Sequence, residues 1–486
     1  MKLFFSGHGE KYAVEQTLLT LFPAERPVYP EDAPGGDNEL ELSFARGPVW
    51  CTASAVLRRE GQVFRRQCRV RTADLPPDDP VLAVRLTRRT LQRAFYLAAV
   101  DCLGKEPPWV MLSGVRPVKL PTRAMEAGLT PRQAVAELRD RYRVSPDRRR
   151  LAMDCAGASL AVKRSLRPEE VSLYVGIPFC PTRCAYCSFI SSSGSANKRI
   201  PAYLDGLFRE LDAAGAALGE AGRTVRSVYI GGGTPTTLSA AQLSALLERL
   251  RAAFGLRPGT EFTVEAGRPD TITRDRLKAI RDGGGTRISV NPQTMSDPVL
   301  AAIGRNHRAE DIRRAYALAR EEGAGLINMD LIAGLPGDDE AGFQRSLEEV
   351  VALGPENITV HTLALKRGAR LRQEAAALPD GQAVAAMLDL AWTRLRQAGY
   401  EPYYLYRQKF MSGSFENVGW CLPGTASVYN ICMMEELHTV LSLGAGGVTK
   451  TVAAGCVKRL ANPKYPQEYL RDIDRIVEEK RRFCDV

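Results

Sequence analysis

Three thiols fall within eight residues of this 486-residue chain, in Cys180-Pro181-Thr182-Arg183-Cys184-Ala185-Tyr186-Cys187, directly after an apolar, β-like run from Ser172 to Phe179. Thiolates at that spacing suit three corners of a four-iron four-sulfur (4Fe-4S) cluster. No side chain nearby is placed as a fourth ligand, which leaves one iron open for a substrate or cofactor. Duller assignments compete on spacing alone. A disulfide strands one thiol of the three and needs an oxidising compartment. A structural zinc needs four closed ligands, and the chain has no second C-x2-C or H-x3-H pair. An incidental cysteine-rich loop is the third possibility. The other eight of the eleven cysteines are dispersed singly, as buried free thiols tend to be.

The elements that must position these thiols form a regular series. Apolar, β-branched runs recur at Ser172–Ile177, Val225–Ile230, Glu261–Glu265, Arg287–Val290, Leu326–Ile332 and Ile358–Leu363. Amphipathic stretches of helix length follow them at Ile200–Leu218, Ala240–Phe254, Arg274–Asp282, Ala309–Glu321, Glu340–Leu353 and Gln382–Ala398. Six strand-then-helix units predict an α/β fold with parallel strands, either a partial (β/α)6 TIM-like barrel or a long open sheet. The unusual residues cluster near the carboxyl ends of these strands, the face on which parallel α/β folds build sites. The cysteines follow the first strand and Gly231-Gly232-Gly233-Thr234-Pro235 the second; Glu265 closes the third, Asn291 and Gln293 follow the fourth, and Asp330 lies in the fifth ahead of Gly334-Leu335-Pro336-Gly337. One composite site is the economical reading. Glycines there let backbone approach a ligand, and their N–H groups can meet a carboxylate.

Around that core the sequence divides into an α+β domain (1–75), a helical region (76–165), the six-unit core (166–400) and a small C-terminal region (401–486). With 45% hydrophobic and 25% charged residues the composition is that of a globular protein, which argues against disorder. No stretch approaches the ~20 apolar residues of a membrane helix, and the N-terminus has no signal-peptide run, so a cytoplasmic protein is expected. The net charge of +10 comes largely from scattered arginines. It permits a polyanionic partner, but no stretch interleaves aromatics with cations as single-strand binders do, which disfavours nucleic acid. Gly114-Val115-Arg116-Pro117-Val118-Lys119 sets two cations beside a turn, as an anion contact or a plain loop.

Taken together, C-x3-C-x2-C with an aromatic before the third cysteine, followed by Gly-Gly-Gly-Thr-Pro, resembles the radical S-adenosylmethionine (SAM) superfamily. Within it the chain resembles the oxygen-independent coproporphyrinogen III oxidases (dehydrogenases) and their haem-related paralogues. The phrases that carry this are Tyr174-Val175-Gly176-Ile177-Pro178-Phe179-Cys180, Tyr229 to Thr236, Gly304-Arg305-Asn306-His307 and Asp330 to Gly337. Gly114 to Leu120, His361 to Arg367, Tyr404 to Lys409 and Glu416-Asn417-Val418-Gly419 match a longer branch whose members carry an extra N-terminal region.

The resemblance implies that Cys180, Cys184 and Cys187 bind the 4Fe-4S cluster and that its open iron takes SAM. It places Tyr174 and Tyr186 near the cofactor, Gly232, Gly233 and Thr234 at the methionine moiety, and Glu265, Gln293, Arg305 and Asp330 among the SAM contacts, with Ala364 and Val448 added by spacing. His307 and His361 stay structural or substrate-facing. The implied chemistry is carried by the cofactor rather than by a catalytic side chain: reductive cleavage of SAM, then removal of a hydrogen from a propionate of coproporphyrinogen III, loss of carbon dioxide with the last electron passing to an acceptor, and a vinyl product. Its partners are a tetrapyrrole, coproporphyrinogen III or haem, and an electron donor such as flavodoxin or ferredoxin. Arg and Lys residues within 366–370 and 407–409 suit a tetracarboxylate. One departure bears on the substrate: oxidases continue the cluster motif with Gly-Cys, whereas Cys187 is followed here by Ser188-Phe189-Ile190, as in the haem-chaperone paralogues. A haem-binding or haem-transfer protein is therefore the alternative, and a radical enzyme acting on nucleic acid a third.

Overall fold

The structure is a computed structural model that describes all residues except 23–24, 105, 110–111, 113–115, 188–191, 194–197, 365–368, 373–377, 409–414, 454–455 and 483–486. The chain forms two compact units, one of residues 1–115 and 127–150, the other of 116–126 and 151–486.

The first unit is built on strands β1 (Lys2–Ser6), β2 (Glu39–Arg46), β3 (Trp50–Arg59) and β4 (Gln62–Arg71), paired in that order. Its helices include α1 (Lys11–Leu21) and α2 (Pro80–Leu103). Leu40, Leu42, Ala53, Ala55 and Leu57 of the sheet share a core with Leu91, Ala94 and Phe95 of α2. Residues 76–103 therefore pack on the sheet of residues 1–71 instead of standing apart as a helical region. The polar, Arg-rich β4 carries no strand-like apolar alternation. It is imposed by the two-residue turn Glu60-Gly61, both at positive φ, which sets Arg59 opposite Gln62 and continues the register to Trp50 opposite Arg71.

Helices α3 (Lys119–Glu126), α4 (Pro131–Tyr142) and α5 (Pro146–Ser165) precede the second unit's main sheet. Its strands are β5 (Glu170–Ile177), the short pair β6 (Phe179–Cys180) and β7 (Ser192–Ser193), then β8 (Thr224–Gly232), β9 (Glu261–Glu265), β10 (Arg287–Ser289), β11 (Leu326–Ala333) and β12 (Asn357–Thr362). Between them run α6 (Ile200–Glu220), α7 (Ala240–Phe254), α8 (Arg274–Asp282), the short α9 (Asp297–Ala302), α10 (Ala309–Glu321) and α11 (Glu340–Leu353), with α12 (Gly381–Gln397) following. β5, β8, β9, β10, β11 and β12 lie side by side in chain order and parallel, the partial (β/α)6 arrangement expected. Seven of the eight residues of β5 are buried, as befits a parallel strand covered on both faces. The helix boundaries are set by local chemistry. Ser239 and Gln242 form a reciprocal cap at the start of α7, and Gly255 ends it in the left-handed conformation.

The chain beyond residue 400 joins this sheet at both edges. β13 (Glu401–Arg407) and β14 (Glu416–Cys421) extend it antiparallel beyond β12. After α13 (Val428–Glu435), β15 (Val440–Leu443) pairs parallel with β5, and β16 (Val448–Ala453) and β17 (Cys456–Ala461) continue outward, making eleven strands. Both edges of the parallel core thus gain backbone partners. The four segments expected from sequence assemble as two units.

The final helices, α14 (Pro466–Arg471) and α15 (Ile473–Arg481), pack on α6. Glu210 of α6, fully buried, accepts from Gly444 N at 2.7 Å, Asn462 Nδ2 at 2.8 Å and Tyr469 OH at 2.6 Å, and faces Lys480 Nζ at 3.5 Å. This network fastens the turn after β15 to α6. Among the described residues no helix is long and apolar enough to cross a membrane.

Candidate functional site

A cavity of about 270 Å³ opens at the carboxyl ends of the parallel strands. Its walls include Cys180, Cys184, Cys187, Tyr186, Gly232, Gly233, Thr234, Glu265, Gln293, Arg305, Asp330 and Ala364, so twelve of the fourteen residues named from sequence share one space. The other two lie outside the lining. Tyr174 sits behind it, its hydroxyl against Gly232, where an added Cβ would come within 3.2 Å. Val448 begins β16, two strands beyond the cysteine-bearing end of β5.

The cysteine loop is held by backbone rather than by a core of its own. Ala185 N donates to Ile303 O at 2.9 Å, Cys187 N to Cys184 O at 3.2 Å, and Leu371 N to Ala185 O at 3.1 Å. None of the three cysteines is joined in a disulfide in this structure. Among the described residues no three ligating side chains stand in a metal-holding arrangement, so the thiols share a wall without meeting at a point. Convergence of thiolates is coupled to the metal that neutralises them.

The glycine run supplies close approach. Gly232 has φ +111°, and a Cβ on Gly233 would fall 2.5 Å from Phe179 O. Gly233 N donates to Ile177 O at 2.8 Å and Thr234 N to Phe179 O at 2.7 Å, stitching the end of β8 to the segment that enters the cysteine loop. Thr234 Oγ1 lies 3.4 Å from Cys180 Sγ.

Charge is arranged around this cradle. Glu265 accepts from Tyr229 OH at 2.5 Å and Gly232 N at 3.2 Å; burial pushes its carboxyl up to about 7. Asp330 also suffers burial, but the His361 imidazole, its Nε2 3.7 Å away, and a hydrogen bond from Asn328 Nδ2 at 2.7 Å hold its pKa below the ordinary value. Gln293 sits at φ +69°, clamped because its N–H donates to Asp330 O and its carbonyl accepts from Ile332 N. Arg305 donates to Asn291 O at 2.6 Å and Tyr186 OH at 3.2 Å. Burial works against its charge, while Tyr186 and Cys184 beside it hold the guanidinium charged.

Three polar atoms in this wall are buried without a partner: Asn291 Oδ1, Arg305 Nε and Thr182 Oγ1. Leaving such groups unmade costs about 1–3 kcal/mol each unless a ligand completes them. Soft sulfurs, a cradle that a Cβ would fill and orphaned polar atoms fit a cluster and a zwitterionic cofactor.

Tyr229, Tyr406 and Asn417 entered the sequence reading only inside longer matching phrases with no role assigned, and Arg268 carried no signal there. Tyr229 orients Glu265 and stacks between Tyr174 and Tyr429, with centroids 6.4 and 4.6 Å away. Tyr229 stands behind the lining, whereas Arg268, Tyr406, Asn417 and His361 are part of it. His307 does not: it is buried in a neighbouring cavity with both ring nitrogens unpartnered, and burial, then Arg305 and Arg268, push it down to about 4. Arg116 and Lys119 both pair with Glu436, so the cations beside the Gly114 turn are engaged within the protein. Gly114, Val115, Ser188–Ile190, 366–368 and Lys409 lie outside the described residues. Of the expected substrate cations, Arg370 is exposed and donates to Arg183 O at 3.3 Å, while Arg407 is buried beside Glu416.

Comparison with known proteins bears on what this cavity holds. Residues 174–350 match the Radical SAM superfamily. The chain is similar to the oxygen-independent coproporphyrinogen-III oxidase-like protein HemZ of Bacillus subtilis, 39% identical over 97% of this chain and 95% of that one. The heme chaperone HemW of Escherichia coli is 28% identical over 64% of this chain and 78% of its own length. Among solved structures, the radical SAM enzyme coproporphyrinogen III oxidase (HemN) from Escherichia coli matches with a TM-score of 0.53 and 26% identity, covering 65% of this chain and 72% of that one.

Proposed function

The chain belongs to the oxygen-independent coproporphyrinogen-III oxidase-like family of radical SAM proteins, and from that premise we propose that it decarboxylates propionate side chains of coproporphyrinogen III oxidatively to vinyl groups without oxygen. Proteins of the superfamily bind a 4Fe-4S cluster and SAM. When bound, that pair supplies radical chemistry able to take hydrogen from an unactivated carbon. The observation that carries the reading is the meeting, in one cavity, of three cysteine thiols, a glycine cradle and the Glu265, Arg305 and Asp330 side chains.

In this reading Cys180, Cys184 and Cys187 hold the cluster. The Arg305 guanidinium receives the carboxylate of SAM, the Gly232–Thr234 turn, free of Cβ bulk at its glycines, lets the methionine moiety lie close to the backbone, and Glu265, once ionised, meets its ammonium. Asp330, its carboxylate kept charged by His361 and Asn328, accepts from ribose hydroxyls. Gln293 and Ala364 line the same pocket, and Tyr186 closes the adenine side. Tyr174 supports the cradle from behind, and Val448 contributes through the turn that precedes β16. The strands and helices around the cavity exclude water from the reacting carbon. The exposed Arg370, with Lys366, Arg367 and Lys409, meets substrate carboxylates, while Arg407 stays buried beside Glu416. A low-potential donor such as flavodoxin or ferredoxin supplies the electron in the cytoplasm.

A second reading, haem binding or transfer without turnover, is favoured by one observation: Cys187 is followed by Ser188-Phe189-Ile190, not Gly-Cys. Anaerobic incubation of the reconstituted protein with coproporphyrinogen III, SAM and a reductant separates the two. A vinyl product with release of carbon dioxide supports decarboxylation. Tight stoichiometric haem uptake with no product supports the second reading and overturns the first.

A further inference from the structure

Arg268 is a second buried cation at the cysteine loop, and none of the roles above employs it. It follows β9 in the turn Ala266-Gly267-Arg268-Pro269, which is pinned to β10 because Gly267 N donates to Ser289 O at 2.9 Å. Its carbonyl accepts from Thr271 Oγ1 at 2.9 Å, so the backbone is fixed on both sides. The side chain is 3% exposed. Two of its nitrogens fork onto Asp270, Nε to Oδ1 at 3.1 Å and Nη2 to Oδ2 at 3.3 Å. The third, Nη1, donates to Cys184 Sγ at 3.7 Å.

A guanidinium is a rigid planar fork, so once Asp270 fixes one edge the remaining donor cannot swing away. Arg305, the other cation here, directs its bonded nitrogens to Asn291 O and Tyr186 OH. Arg305 also interacts with Cys184; Arg268 differs in that the one edge Asp270 leaves open is directed at that sulfur. Hydrogen bonds to ligating sulfurs and nearby positive charge stabilise the more negative, reduced state of an iron–sulfur centre.

We propose that Arg268 is a positioning residue that fixes Cys184 and raises the reduction potential of the cluster held there, easing uptake of one electron from a low-potential external donor. The inference rests on the reading that the thiol trio holds a cluster. No bond is made or broken: one electron enters the cluster from the donor, and Arg268 keeps its protons throughout.

The test is a potentiometric titration of the reconstituted wild-type protein and of Arg268→Met, following the reduced-cluster EPR signal with dithionite as reductant. Iron and sulfide are assayed on the same samples. The expected result is equal iron content and a midpoint that is more negative in R268M. At fixed potential near the midpoint the reduced-to-oxidised ratio falls about tenfold, which is ~59 mV for a one-electron couple. Arg268→Lys keeps a cation beside Asp270 but loses the fork, so its midpoint lies between the two; it decides the matter alone if R268M does not fold. Midpoints identical to wild type with full iron content overturn the inference. Wild-type protein that takes up no iron and sulfide overturns instead the cluster reading on which it rests.

Discussion

Gly233→Ala tests whether the glycine cradle and the cysteine loop are one mechanical unit. A Cβ at this position would lie 2.5 Å from Phe179 O, 2.8 Å from Phe179 N and 2.9 Å from Ile177 O. All three are backbone atoms, so no rotamer relieves the clash and the two segments must part by roughly 1 Å to regain ordinary contact. Overpacking of this kind costs about 1–3 kcal/mol. The same displacement stretches the bonds from Gly233 N to Ile177 O and from Thr234 N to Phe179 O, each worth about 0.5–1.5 kcal/mol. The expected loss is therefore about 2–6 kcal/mol. Phe179 immediately precedes Cys180, so the shift also moves the first thiol by more than the ~0.5 Å a site tolerates. Anaerobic denaturant titration of the second unit's transition should show that loss, and reconstituted iron content should fall below half of wild type. Gly157→Ala is the control: it lies exposed within α5, an added Cβ meets nothing within 4 Å, and about 0.5–1 kcal/mol of stabilisation is expected. A Gly233→Ala protein with wild-type stability and full iron would refute the coupling.

Three further predictions follow from burial. His438, its Nε2 2.8 Å from Ser172 Oγ, is pushed down to about 4 by burial, below its ordinary 6.5. Its contribution is therefore complete above pH 6.5 and lost as pH falls toward 4, about 3 kcal/mol in all; His438→Gln should flatten that limb of a stability-versus-pH curve. Glu265 has the opposite sign, because burial raises its folded value to about 7 from 4.5: stability of the ligand-free protein falls as pH climbs from 4.5 through 7, by up to about 3 kcal/mol. Subtracting the Glu265→Gln curve from wild type should isolate this term, and SAM bound below pH 7 should release a proton detectable by calorimetry in buffers of different ionisation enthalpy. Lys480→Met leaves the fully buried Glu210 without its cation and should cost about 3–5 kcal/mol, with faster hydrogen exchange at Gly444 N; adding Glu210→Gln should recover part of the loss.

The sequence by itself determined the six alternating units, because a strand buried on both faces and a helix buried on one leave distinct apolar periods, and those bounds reappear almost to the residue in β5 to α12. It also determined the donor set. Cysteines three and two residues apart in spacing, a glycine triplet and strand-terminal acids are local patterns, and parallel topology alone is enough to bring strand ends to one face. Tertiary structure decided what depends on pairs distant in the chain. β4 is a strand because a left-handed two-residue turn folds it onto β3, not because its Arg-rich sequence asks to be buried. The strands beyond residue 400 cap opposite edges of one sheet, which no local pattern specifies. Arg268 shows the same limit at the site. It is one arginine among many in the sequence, and only the fold, by setting Asp270 on one edge of its guanidinium and Cys184 on the other, gives that charge a direction.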